Sequence, residues 1–167
     1  DKMVVASSGF TKAGDSKAVL TALADRAKND PLKVTLMTGA SLGHGTDGAL
    51  AESKALALRL PFQVDPVLRK AINAGEVYFI DQHLGETANL LKANNFPTID
   101  IAVLEACLIE EDGSFVPTTS VGNSASFAAL ADKVIIELNL SVPLDIIGVH
   151  DIFSTGEYPN RREIPIT

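Results

Sequence analysis

Lys33-Val34-Thr35-Leu36-Met37-Thr38-Gly39-Ala40-Ser41 decides how this chain folds, because a short apolar run breaks there into glycine and small polar residues. A run of that length and composition reads as a buried strand, and the glycine marks the loop leaving its carboxyl end. The pattern recurs at Ser8-Gly9-Phe10-Thr11, Asp81-Gln82-His83 and Ser120-Val121-Gly122-Asn123, each after a run of Val, Ile, Leu or Phe. In open parallel α/β sheets, the loops at the carboxyl ends of the strands line the ligand crevice. Glycine there lets main chain approach a ligand, and N–H groups near helix starts favour anionic or carbonyl oxygens.

Outward from this loop, strands are expected over 2–7, 33–37, 77–80, 99–104 and 133–138. The turn Glu110-Glu111-Asp112-Gly113 predicts that 114–119 pairs back as a hairpin strand. Helical periodicity covers 16–28, 48–60, 86–93 and 125–131, and a further helix opens at Pro66 and stops at Ala74-Gly75. Asp15 or Ser16 is expected to cap the first helix. The fold class is α/β: an open, mostly parallel, doubly wound sheet with helices on both faces and one mixed edge. It is expected to occupy residues 1–154, with 155–167 a linker or an arm that docks elsewhere.

At 167 residues, 46% hydrophobic and 21% charged, the chain suffices for one globular domain with a real core. The net charge of −7 argues against a nucleic-acid surface but leaves room for a phosphorylated ligand. No stretch approaches the roughly 20 apolar residues of a membrane span. Cys107 stands alone, which fits a reducing compartment and a buried, inert thiol. The expected location is the cytoplasm, or a mitochondrion if a presequence was removed. The start, Asp1-Lys2-Met3, runs straight into a strand, so an upstream segment is expected.

Gly43-His44-Gly45-Thr46-Asp47-Gly48 matches G-x-G-x-x-G, but its first glycine lies several residues beyond Thr38 rather than in a tight turn. The acidic residue after the next expected strand, Asp81, is also well beyond the usual spacing of about 20 residues, so NAD binding is disfavoured. His44, His83 and His150 lack metal-site spacing and read as loop histidines bonded to carbonyls or carboxylates. Glu105 and Glu137 fall in or near apolar strands, where a carboxylate needs a partner or a raised pKa. Each is a candidate site residue, with pairing to Arg59, Arg69 or Lys133 the favoured alternative. The stretch from Arg59 to Pro66 is stiffened by two prolines and presents Phe62, Gln63 and Val64, either as helix packing or as a pocket wall.

Several strings occur in order along the chain: S-G-F-T-K-A-G (8–14), L-M-T-G-A-S-L-G (36–43), P-F-Q-V-D-P (61–66), R-K-A-I-N-A-G-E (69–76) and D-Q-H-L-G (81–85). V-P-T-T-S-V-G-N-S (116–124), D-K-V-I-I-E-L-N (132–139), G-V-H-D-I-F (148–153) and R-R-E-I-P-I (161–166) complete the series. With them the chain resembles the amino-terminal half of the acetyl-CoA hydrolase/transferase family, the class I CoA-transferases.

The resemblance implies two similar α/β domains facing each other across a cleft. It also implies a glutamate that attacks an acyl-CoA thioester, giving an acyl–glutamyl anhydride and then a glutamyl-CoA thioester. A small carboxylate of the acetate, succinate, propionate or 4-hydroxybutyrate class, or water, then resolves the intermediate. Coenzyme A is a substrate here, with no tightly bound cofactor and no metal. The family's glutamate lies in the carboxyl-terminal half, so no catalytic residue is expected in this chain. Carried onto it, the resemblance places Gly39, Ala40 and Ser41 and the loop of Val121, Gly122 and Asn123 beside the acyl and thioester region. Ser8, Gly9 and Phe10, with Gln63 and Val64, are expected in the acyl-pocket wall. The expected partners are acyl-CoA, a small carboxylate, the carboxyl-terminal domain and a second copy in a homodimer, with no nucleic acid and no membrane. The rival expectation is a non-catalytic CoA- or nucleotide-binding α/β domain.

Overall fold

The computed structural model describes residues 2–153, 156 and 159–164. In chain order the elements are β1 (Val4–Ser7), α1 (Ala18–Asn29), β2 (Val34–Thr38), α2 (Thr46–Glu52), β3 (Leu56–Leu60), α3 (Pro66–Asn73) and β4 (Tyr78–Phe79). They continue with α4 (Thr87–Lys92), β5 (Ile99–Ile109), β6 (Phe115–Pro117), α5 (Ser124–Leu130) and β7 (Ala131–Leu138). The arm expected over 155–167 lies largely outside the described residues.

One seven-stranded sheet runs in the order β4-β3-β2-β1-β5-β6, and β7 also pairs with β5. All pairings are parallel except β5 with β6. Ala106 pairs with Leu138 of β7 and also with Pro117 of β6, so those two strands flank β5 on opposite edges. The antiparallel β6 therefore continues beyond the end of β1 and forms the mixed feature expected of the hairpin.

Helices cover both faces because the strands are apolar on both. Leu20 and Ala24 of α1, Leu50 of α2 and Leu68 of α3 pack with Val5, Leu36 and Val103. On the other face Leu91 of α4 and Phe127 of α5 pack with Ala6, Met37, Leu60, Ala102 and Leu104. The sequence punctuation at α3 acts as read. Asp65 accepts the Val67 and Leu68 N–H groups at 2.8 and 3.0 Å, Pro66 occupies the first turn, and Gly75 follows in left-handed backbone.

Two expectations are corrected. The helix expected over 48–60 is α2 followed by strand β3. Lys54 takes a left-handed φ of 58°, ending the helical run, and the leucine-rich stretch behind it pairs with β2 and β4. Leucine favours a helix locally, and two-sided strand pairing overrides that preference. The start of α1 is also not capped by Asp15 or Ser16. Glu137 of β7 instead accepts the N–H groups of Lys17, Ala18 and Val19 at 2.9, 3.0 and 2.7 Å. Asp15 turns to the Gly43 N–H and His44, while Ser16 bonds Ser7 Oγ and the Val103 carbonyl.

Candidate functional site

β1 and β2 are central strands, and the glycine loops at their carboxyl ends meet the loop that follows β6. A pocket of about 250 Å³ opens there. Six of the residues expected from sequence line it: Gly9, Phe10, Gly39, Ala40, Gly122 and Asn123. Leu84, Gly85 and Ser120 complete the lining. These three were not singled out as site residues, although the D-Q-H-L-G string and the Ser120 loop carried the signal.

The other expected residues lie elsewhere. Ser41 is buried behind the loop, its Oγ 3.5 Å from Thr11 Oγ1. Val121 gives its carbonyl to the Ser124 N–H at 3.0 Å and is absent from the lining. Gln63 and Val64 do not reach this pocket; Val64 is exposed, and Gln63 Oε1 is buried without a hydrogen-bond partner among the described residues.

Ser8 is fully buried, and it holds two of the loops together. Its Oγ accepts the Asn123 N–H at 2.8 Å. A Cβ on Gly39 would lie 2.4 Å from that oxygen, and one on Gly122 2.5 Å, so both loops need glycine to close on it. Gly122 also has a φ of +51°, which strains any L side chain.

A second device fixes the loop after β2. Arg59 and Asp47, both buried, form a two-pronged ion pair at 2.8 and 3.0 Å. Arg59 also donates to Thr38 Oγ1 at 2.8 Å, and Thr38 donates to the Ala40 carbonyl. The G-x-G-x-x-G stretch therefore ends inside the core, with Asp47 committed to Arg59.

The third device holds the loop after β6. Thr118 Oγ1 donates to Glu105 at 2.7 Å, and His150 Nε2 contacts the Thr118 carbonyl. Glu105 also forms an ion pair with Lys17. Burial pushes the Glu105 carboxyl up, but hydrogen bonds from Lys17 and Thr118, the Lys17 charge and Asn139 outweigh it and hold the pKa below its usual value. The expected partners Arg59, Arg69 and Lys133 are replaced by Lys17 for Glu105 and by the α1 terminus for Glu137. Cys107 is buried, with its Sγ near the Val116 carbonyl, as expected of an inert thiol.

Chemically the pocket is a main-chain surface with an apolar rim. Its lining holds no Asp, Glu, His, Lys, Arg or Cys. Three of its lining N–H groups are already donated, Phe10 to the Ala13 carbonyl, Gly39 to the Ser7 carbonyl and Asn123 to Ser8 Oγ, and the lining supplies no nucleophile of the carboxylate type. A larger hollow of about 620 Å³ lies between the end of α1 and the end of α2, at the amino-terminal edge of the strands and away from these loops.

Residues 1–159 match the family described as the acetyl-CoA hydrolase/transferase N-terminal domain. The chain is 41% identical over 166 residues to a succinyl-CoA:acetate CoA-transferase of Clostridium kluyveri, covering 98% of this chain and 31% of that protein. It is 39% identical to a propanoyl-CoA:succinate CoA transferase of Escherichia coli, covering 98% of this chain and 34% of the relative. An acetyl-CoA hydrolase of Schizosaccharomyces pombe is 37% identical, with coverages of 95% and 32%. The chain thus spans about a third of the length of these relatives. Among solved structures, a variant of the decarboxylase AibA/AibB matches with a TM-score of 0.59 and 14% identity, over 86% of this chain and 74% of that one. That likeness is one of fold.

Proposed function

The chain belongs to the acetyl-CoA hydrolase/transferase family as its amino-terminal domain, and on that premise we propose that it forms one wall of a CoA-exchange cleft. CoA passes there from an acyl-CoA thioester to a small carboxylate of the acetate, succinate, propionate or 4-hydroxybutyrate class, or is released by water. The observation that carries this reading is the convergence of the Gly9, Gly39 and Gly122 loops on one uncharged pocket at the carboxyl ends of the strands.

The residues of this chain bind and shield; they do not attack. The glycine loops, the Asn123 and Ser120 side chains and the Phe10 ring surround the acyl group and keep water from the intermediate. The nucleophilic glutamate is assigned to the carboxyl-terminal half. Glu105 and Glu137 are poor candidates for that role on their own chemistry, since each is already committed to a cation or a helix terminus. Ser41, Val121, Gln63 and Val64 support the wall from behind or beside it, and Ser8 ties its loops. The domain runs through residue 154, and 155–167 connects it to the carboxyl-terminal domain. Acyl-CoA, the acceptor carboxylate, that domain and a second copy of the protein are its partners, in the cytoplasm. Coenzyme A acts as a substrate, without a tightly bound cofactor.

The test is an assay of thioester consumption with acetyl-CoA or succinyl-CoA, in the presence of acetate, succinate or water alone. It compares this chain by itself with the full-length protein that contains it. Turnover by the full-length protein and none by the isolated chain is expected. Robust turnover by the isolated chain would move the nucleophile into it. CoA binding without thioester consumption by the full-length protein would favour a binding domain instead.

A further inference from the structure

Arg59 carries a full positive charge at a position with 0% exposure. All three of its guanidinium nitrogens are engaged: Nε and Nη2 with Asp47, and Nη1 with the Leu60 carbonyl at 2.7 Å and Thr38 Oγ1 at 2.8 Å. Thr38 has a single hydroxyl proton. Because Arg59 donates to its oxygen, that proton is directed to the Ala40 carbonyl. The hydrogen bonds therefore run in one sense, from Arg59 through Thr38 to Ala40.

Cohesion does not require this arrangement. A buried ion pair replaced by apolar side chains of similar volume is often equally or more stable. Apolar packing, however, cannot fix the direction of a carbonyl. With the Ala40 carbonyl drawn towards Thr38, the N–H of Ser41 in the same planar trans peptide points the opposite way. Ala40 and Gly39 line the pocket, so the orientation of these peptides sets the shape that an acyl group meets.

We propose that Arg59 is a positioning residue for CoA exchange, acting with Asp47 through Thr38 to set the Gly39–Ser41 peptides of the acyl wall. The proposal rests on the function read above. Arg59 touches no substrate; its effect is exerted through the loop.

The decisive experiment uses the full-length protein. Thr38→Val removes the relaying hydroxyl while leaving the Arg59–Asp47 pair, and the double variant Asp47→Leu with Arg59→Met exchanges the pair for apolar packing. Each is measured for thermal unfolding, for kcat and KM with acyl-CoA, and for hydrogen–deuterium exchange over residues 38–42. The expected result is a kcat lower by about 10–100-fold with KM within about twofold, together with faster exchange across 38–42, in a protein that unfolds cooperatively near the wild-type temperature. Wild-type kcat in folded Thr38→Val overturns the proposal, and so does unchanged exchange over 38–42. If the double variant fails to fold, Thr38→Val decides alone. An inert wild-type protein defeats the CoA-exchange reading, whereas the exchange measurement still reports whether Thr38 orders the loop.

Discussion

The Glu137 carboxylate accepts the main-chain N–H of Val19 at 2.7 Å across 118 residues of sequence. Together with its bonds to Lys17 and Ala18, this makes one side chain of β7 the cap of α1. Negative charge at a helix amino terminus is also favoured by the macrodipole. Glu137→Ala is expected to destabilise the domain by about 1–2 kcal/mol, within the range for lost caps. Glu137→Gln, which keeps an acceptor but not the charge, should lose less. Equilibrium unfolding of the three proteins checks the order.

The second prediction concerns acid. The Glu105 carboxyl is held below its ordinary value of 4.5, so its contribution to stability is complete above that pH and fades as pH falls through the depressed value. Lys17→Met removes the ion-pair partner and leaves burial to push the carboxyl up. The variant should then be less stable at pH 7 and lose less on acidification, so that its profile converges on the wild-type one as pH falls. Unfolding midpoints measured from pH 7 down to about 3 test it; superimposed profiles would refute the assignment.

Gly39→Ala should cost about 1–3 kcal/mol, because the new methyl meets Ser8 Oγ. Ser8→Ala should cost about 1 kcal/mol through loss of the Asn123 bond. The pair made together should cost less than the sum, since the atom that the methyl strikes is gone. A double-mutant cycle in unfolding free energy measures the coupling. Gly122→Ala gains less from the same rescue, because its left-handed φ persists.

Phe10 is 63% exposed on the pocket rim. Phe10→Ala should therefore change stability by no more than about 0.5 kcal/mol. If the ring covers the acyl group, KM for acyl-CoA in the full-length protein should rise by about tenfold, the worth of a partly buried aromatic side chain. Steady-state kinetics with unfolding as the control separate the two effects.

Local grammar was enough for much of the fold. Asp65, Pro66 and Gly75 bound α3 as their chemistry dictates, and the glycines after β1 and β2 mark pocket loops. What escaped the sequence depends on distant partners. β3 reads as helix until β2 and β4 flank it. The Glu137 cap and the Lys17–Glu105 pair join residues far apart in the chain, with separations of 120 and 88 residues. Ser41 and Ser8 sit in the right loops but face inward, since loop position does not fix the direction of a side chain.

A pocket wall made of main chain has a bearing on how such proteins diversify. Substituting a side chain leaves the course of the glycine loops in place, and adding one at Gly39 or Gly122 is blocked by Ser8. Adaptation to a longer or bulkier acyl group is then open at Phe10, Leu84, Gly85, Ser120 and Asn123. The glycine-loop frame stays a fixed inheritance around which substrate preference can drift.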